Sequence, residues 1–225
     1  MHKDIPVLYE DQQVVAFDKP AGILSIANDK ERYNDLVSLV NRQYKDRHQG
    51  DLTQGGLHPV HRLDRDTSGV ILFAKGKKQQ QRLMEEFRQR KVAKTYIAFV
   101  HGHLKDRQGE IRQRIKDHFQ KKYLSAAPAQ MAITQYRVTE ERSNFSVLEV
   151  VPLTGRTNQI RLHFLHLGHP LVGEDKYAFR RDFALKFKRT ALHALQLQWE
   201  NAAGKSVRVT APIPRDMVLF LERNT

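Results

Sequence analysis

The sequence predicts an α+β fold, and three observations carry that reading. Short apolar runs bounded by turn residues recur along the chain, among them Val70-Ile71-Leu72-Phe73-Ala74 and Tyr96–Val100. Other segments repeat apolar residues at helical spacing, with Lys, Arg and Gln on the opposite side. These strand-like and helix-like segments are interspersed, with no internal repeat, low-complexity block or composition shift that would mark a linker. A chain of 225 residues can bury one sizeable core, or two lobes sharing a cleft.

Taken in order, Val7-Leu8-Tyr9 and Val14–Phe17 read as two short strands joined by the polar turn Glu10–Gln13. Lys19-Pro20-Ala21-Gly22 breaks the second, because Pro and Gly force a turn. Asn34 or Asp35 is the expected N-cap of a helix with Leu36, Leu39, Val40 and Tyr44 on one face. A polar loop from Arg47 to Gly56 precedes the strand that starts near Val70. The next helix places Gln80, Leu83, Met84 and Phe87 on one side. Strands are expected at Thr95–Val100, Ala132–Thr139, Phe145–Val151, Ala191–Trp199 and Val207–Thr210. Between them, Lys105–Lys122 is a charged, basic stretch, with a loop at Ser125–Ala129. A helix is expected from about Thr157 to Leu167, burying Ile160, Phe164 and Leu167. The last, after Pro214, turns Val218, Leu219 and Leu221 inward.

Composition narrows the class. Lys and Arg number 38 against 25 Asp and Glu, a net +13, with a pI near 10.0. Such a chain favours polyanionic partners through phosphate contacts and counterion release. Cysteine is absent, which excludes a disulfide framework, a cysteine nucleophile and a thiolate metal site. Met1–Pro6 lacks the apolar segment of a secretory signal. No apolar run exceeds five residues, far short of the ~20 that span a bilayer. A cytosolic protein is expected.

The chemistry is concentrated in His61-Arg62-Leu63-Asp64-Arg65-Asp66-Thr67-Ser68-Gly69. Asp64 stands between two arginines, and nearby cations keep a carboxylate ionised by lowering its pKa below about 3.9. That is the state of a nucleophile or general base. Read from the residues alone, Asp64 can equally cap a turn or pair with Arg62. The string resembles the signature loop of RluA-type pseudouridine synthases, H-R-L-D-x-x-T-S-G followed by an apolar strand ending in Ala-Lys. Small-subunit-type relatives usually carry Gly at the position of His61. The resemblance makes Asp64 the catalytic residue.

Two further stretches match in order. Lys94-Thr95-Tyr96-Ile97-Ala98-Phe99-Val100-His101-Gly102 alternates so that Tyr96, Ala98 and Val100 share one face. It resembles the family's K-x-Y-x-A-x-V-x-G, whose Tyr lies against the target base; on the strand alone Tyr96 can equally be a core residue. Gly155-Arg156-Thr157-Asn158-Gln159-Ile160-Arg161-Leu162-His163 reads as a turn into a helix N-terminus, a natural place for an anion. On that helix Arg156 and Arg161 fall on different sides, about 140° apart. The stretch is similar to G-R-T-H-Q-I-R-x-H, whose second Arg, Arg161 here, pairs with the catalytic Asp. Asn158 replaces the usual His, keeping hydrogen bonding but losing titration near neutral pH. Leu167-Gly168-His169-Pro170-Leu171-Val172-Gly173 with Tyr177 echoes L-G-x-P-I-x-G-D-x-x-Y, with Glu174 for the usual Asp. Leu192-His193-Ala194 and the Ala132-x-Thr134-x-Tyr136 strand are weaker echoes, read as structural like Lys19–Gly22.

The resemblance spans about Val7 to Met217. It implies a pseudouridine synthase catalytic fold: a mixed or antiparallel central sheet with flanking helices and a central RNA-binding cleft. One catalytic domain over 1–225 is expected, with no separate N-terminal RNA-binding domain. The implied reaction breaks the base–sugar bond of a chosen uridine in ribosomal or transfer RNA, rotates the base, and rejoins ribose carbon 1 to uracil carbon 5. It needs no cofactor and no metal, and a monomer is expected. Because a stacked uridine cannot meet a carboxylate, it must be flipped out. Asp64, Tyr96 and Arg161 are the expected catalytic set; Arg62, Arg65, Arg156, Lys116, Lys121 and Lys122 are expected to bind RNA, with Arg62 as wedge or phosphate contact. Two other classes stay open on sequence: an idle RNA-binding or remodelling relative, and a metal-dependent nuclease using Asp64, Asp66 and histidines.

Overall fold

The computed structural model describes residues 4–27, 35–47, 56–116, 128–178 and 183–224. In chain order the first elements are β1 (Val7–Glu10), β2 (Val14–Lys19), α1 (Leu36–Arg47), β3 (Leu57–Pro59), β4 (Ser68–Lys75) and α2 (Lys77–Arg88). Then come β5 (Ala93–His101), β6 (Gln108–Ile115), β7 (Gln130–Arg142), β8 (Phe145–Pro152) and α3 (Gln159–His166). The last are β9 (Leu192–Glu200), β10 (Ser206–Thr210) and α4 (Arg215–Arg223). The chain forms two compact units, Met1–Ala93 with His193–Pro214, and Lys94–Leu192 with Arg215–Thr225.

In the first unit, Asp11 makes the opening hairpin by accepting the Gln13 and Val14 amides on one carboxylate oxygen (2.7 and 2.8 Å). β2 lies antiparallel between β1 and β4, with Val14 opposite Ala74 and Lys19 opposite Gly69. β3 also pairs antiparallel with β4. β9 joins β4 in parallel, placing Gly69 opposite Ala194, and β10 returns antiparallel to β9. The uninterrupted apolar run of β4 is buried throughout, as a strand covered on both faces requires. Gly69 is obligatory there: its φ is +111°, and a Cβ would lie 2.2 Å from the Ala194 carbonyl oxygen.

Asp35, rather than Asn34 (outside the described residues), caps α1: its carboxylate accepts the Ser38 amide (3.3 Å) and hydroxyl (2.6 Å). Leu36, Leu39 and Val40 are buried as expected, with Gln43 beside them, while Tyr44 is half-buried. α2 buries Leu83 alone. Met84 is 43% exposed, correcting its expected inward position; one residue further round, a helix has turned by about 100°.

The second unit holds the antiparallel order β5-β8-β7-β6. β6 falls within the stretch read as merely charged; Ile111 and Ile115 face inward and its other side is polar. The loop expected at Ser125–Ala129 is described only at its end. α3 is shorter than expected, so Leu167 lies beyond it, exposed, and Arg156 precedes it rather than sharing its surface. In α4 the buried residues are Met217 and Phe220, not Val218 and Leu219; Leu221 is half-buried. Phe220 decides this by packing on Phe99, Phe145 and Phe187, with ring centroids 5.3–5.8 Å apart.

His163 is 0% exposed in α3, and neither ring nitrogen has a hydrogen-bond partner among the described residues. Burial, with a smaller push from His166, lowers its pKa to about 4. An unfolded chain protonates this histidine first, near pH 6.5. Its contribution to stability is therefore intact above 6.5 and drains away as pH falls towards 4. His163→Leu, of similar size and without unmet polar atoms, should melt at or above wild type at pH 7.5 and lose less Tm on moving to pH 5. His101, also lowered to about 4 by burial and then Lys186, keeps part of the acid sensitivity. Equal Tm losses in variant and wild type would remove His163 from the account.

Candidate active site

The loop carrying Asp64 is fixed through its backbone. Ser25 Oγ donates to the Leu63 carbonyl (2.7 Å) and accepts the Leu63 amide (3.0 Å), while Leu63 itself is buried. A turn follows, in which the Thr67 amide donates to the Asp64 carbonyl (3.2 Å), and the Arg65 carbonyl accepts the Gly22 amide (2.9 Å). Beneath it lies the Lys19 ammonium, 0% exposed, with the carbonyls of Pro20, Asp64, Arg65 and Thr67 at 2.8–3.2 Å. Three N–H donors serve four acceptors, so at least one bond is shared. These contacts leave the loop's side chains to project: Asp64 is half-buried, Arg62 and Arg65 exposed.

Two histidines complete the frame. His61 accepts the Leu72 amide on Nε2 (3.1 Å) and stacks on Phe87 with centroids 4.7 Å apart. His193 Nδ1 shares a 2.9 Å hydrogen bond with Ser68 Oγ, both groups buried. Neither Ser25 nor the grip of Lys19 was read from the sequence; a lone serine and a turn motif give no period to detect. The Leu192-His193-Ala194 echo was the available signal for His193.

In the second unit, Tyr96 lies half-buried on the β5 face it shares with Ala98 and Val100, packed against the core cluster that also includes Leu148, Val150, Ile160 and Phe164. Arg161 is 9% exposed and meets Glu174 through two parallel bonds, Nε to Oε2 (2.7 Å) and Nη2 to Oε1 (2.6 Å). Burial pushes the Glu174 carboxyl up, but the bonds and charge of Arg161 and the amides of Lys176 and Tyr177 outweigh it and hold the group below its usual range. Glu174, known from the sequence only as a departure from a motif, is thus the principal anchor of Arg161 in this unit. Gln159 locks the preceding loop, accepting Thr154 Oγ1 (2.6 Å) and the Arg156 amide (3.0 Å) while donating to the Ile133 carbonyl and Thr134 Oγ1 (2.9 Å each). Arg156 is half-buried and Lys116 exposed; Lys121 and Lys122 lie outside the described residues.

Asp64 thus belongs to the first unit, Tyr96 and Arg161 to the second. The first offers a carboxylate on an immobilised backbone, flanked by exposed cations; the second offers a half-exposed aromatic ring and a constrained guanidinium. Among the described residues, no group of three or more His, Asp or Glu is placed to hold a metal ion, and no helix is long and apolar enough to cross a membrane.

A family model described as RNA pseudouridylate synthase matches residues 13–166. The dual-specificity RNA pseudouridine synthase RluA of Pasteurella multocida is 35% identical, over 88% of this chain and 87% of that protein. The ribosomal large subunit pseudouridine synthase D of Borreliella burgdorferi is 32% identical, over 96% of this chain and 68% of its own. Among solved structures, human RNA pseudouridylate synthase domain containing 4 superposes with a TM-score of 0.80 at 25% identity, covering 96% of this chain and 92% of the other. The chain belongs to the RNA pseudouridylate synthase family. Within it the type is that of RluA, and the protein is an isomerase acting on RNA.

Proposed function

We propose that the enzyme isomerises specific uridines in structured ribosomal or transfer RNA, with Asp64 as the catalytic carboxylate. The observation that carries this is the loop itself: the family's signature string, with the backbone on either side of its Asp held by Lys19 and Ser25. Such a support fixes the position of the loop through its main chain. A relative named for the large ribosomal subunit supports a ribosomal target, and relatives named as dual-specificity support more than one kind of target. The target uridine is flipped out at a cost of a few kcal/mol. The glycosidic bond then breaks, the base turns while bound, and carbon 1 of ribose joins carbon 5 of uracil. The proton from carbon 5 leaves and one returns to nitrogen 1, so the reaction balances without oxidant, reductant or cofactor. Tyr96 holds the extruded base, Arg161 provides the counter-charge to Asp64, and Arg62, Arg65, Arg156 and the lysines from 116 to 122 meet phosphates.

Pseudouridine maps of ribosomal and transfer RNA, from cells with and without the gene, test the reading. One or more sites should vanish and return with wild type but not with Asp64→Asn; identical maps would sink it. Tyr96 is tested on the same RNA. Stacking of a base on an aromatic ring contributes roughly 1–3 kcal/mol, so Tyr96→Ala should cut turnover about ten- to a hundred-fold and leave the salt dependence of binding unchanged. Tyr96→Phe keeps the ring; full activity there rules out proton transfer by the hydroxyl, and full activity in the Ala variant removes Tyr96 from the site.

A further inference from the structure

We infer that Asn158 sets the working orientation of Arg161 through an amide bridge to Tyr177 that does not titrate; this rests on the reading of Arg161 as counter-charge to Asp64. Asn158 sits immediately ahead of α3 in the left-handed region, φ 54° and ψ 24°, yet its side chain makes no capping hydrogen bond to the helix backbone. An asparagine there ordinarily serves as a cap. This one points elsewhere. Its Oδ1 accepts from Arg161 Nη1 (3.2 Å) and its Nδ2 donates to the Tyr177 hydroxyl (2.9 Å). The orientation of the amide is dictated, because a guanidinium has donors only and must face the oxygen.

Tyr177 is itself held. Its amide donates to Glu174 Oε1 (3.2 Å), beside that of Lys176 (2.9 Å). Its ring lies against the guanidinium, with Arg161 Cζ 5.2 Å from the centroid. Arg161 is therefore gripped along the Nε–Nη2 edge by Glu174, at Nη1 by Asn158, and on its face by Tyr177. These bonds use three of five N–H groups. Rotation that would spoil this geometry is resisted on the Nη1 side by Asn158.

The chemistry of the amide matters. The motif this stretch resembles has a histidine here, which offers an acceptor only while neutral; protonated, it would repel the guanidinium. Asn158 offers the same oxygen at every pH. Among the described residues, Arg161, Glu174, Lys176 and Tyr177 are charged or titratable groups around this position. Glu174 is held below its usual range.

Asn158→Ala should lower kcat at saturating RNA about tenfold with KM within about twofold, the split expected of lost alignment rather than lost binding. Asn158→His should be more active than the Ala variant at pH 8. Its rate relative to wild type should fall about fivefold between pH 8 and 5.5, as the imidazole takes a proton near 6. Because that comparison is made within one folded protein, it decides the matter even if the Ala variant fails to fold. A kcat within twofold in the Ala variant, or a His-variant profile superimposable on wild type, overturns the inference. Wild-type protein inactive on every ribosomal and transfer RNA, or an active Asp64→Asn, would instead overturn the reading beneath it.

Discussion

Asp64→Asn should abolish isomerisation, by at least about a thousand-fold, while RNA affinity stays within about twofold. The substitution keeps the shape of the side chain and removes its charge. The loop should keep its course, because Lys19 and Ser25 hold carbonyls and an amide of its backbone. Arg62 and Arg65 remain exposed beside it to meet phosphate. Pseudouridine formed per enzyme, measured by mass spectrometry on the correct RNA, gives the answer, and near wild-type turnover would show the assignment to be wrong. In the same assay EDTA should leave the initial rate unchanged; inhibition reversed by added metal would favour a metal-dependent mechanism.

Arg161→Met should be the most damaging change in the second unit, for two reasons that can be separated. Glu174 is 3% exposed, and removing its partner leaves a buried carboxylate uncompensated, a loss of roughly 3–5 kcal/mol. The depressed pKa of Glu174 has the matching sign: the pair's stabilisation is present above the unfolded carboxyl pKa, near 4.5, and drains as pH falls below it. Activity falls as well if Arg161 supplies the counter-charge for Asp64. The double variant Arg161→Met with Glu174→Leu resolves the two effects, since replacing both members of a buried pair by apolar groups is often neutral. It should regain most of the lost Tm and none of the activity. Recovery of activity would reduce Arg161 to a structural tie, and a single variant with unchanged melting would contradict the burial of the pair.

Long apolar runs made much of the fold legible. β4 and β5 read directly as buried strands, and the alternation that paired Tyr96 with Ala98 and Val100 is the alternation observed. β6 escaped notice because an edge strand carries its signal in Ile111 and Ile115 alone, among arginines and glutamines that guard an exposed margin. The α4 face was misjudged because Met217–Leu221 is apolar at every position. Periodicity cannot orient such a helix; the phenylalanines around Phe220 do. Of the site, motifs supplied Asp64, Tyr96 and Arg161 as candidates. They could not supply the supports, because Ser25, Lys19, Glu174 and Tyr177 act across turns and loops whose closure only three-dimensional structure brings about.

The parallel seam between β4 and β9 carries a consequence for biosynthesis. Ser68 finds His193 across 125 residues of chain, and at about 5–20 residues per second a ribosome takes roughly 6–25 s to make that stretch. Until it does, the margin of β4 that will receive β9 is left without this neighbour, and so is the strand on which the signature loop ends. A nascent chain therefore emerges with Asp64 already made but the scaffold around its loop open. Contacts this distant in sequence form slowly, so β9 acts as a clasp that delays completion of this sheet until the segment carrying His193 has been made.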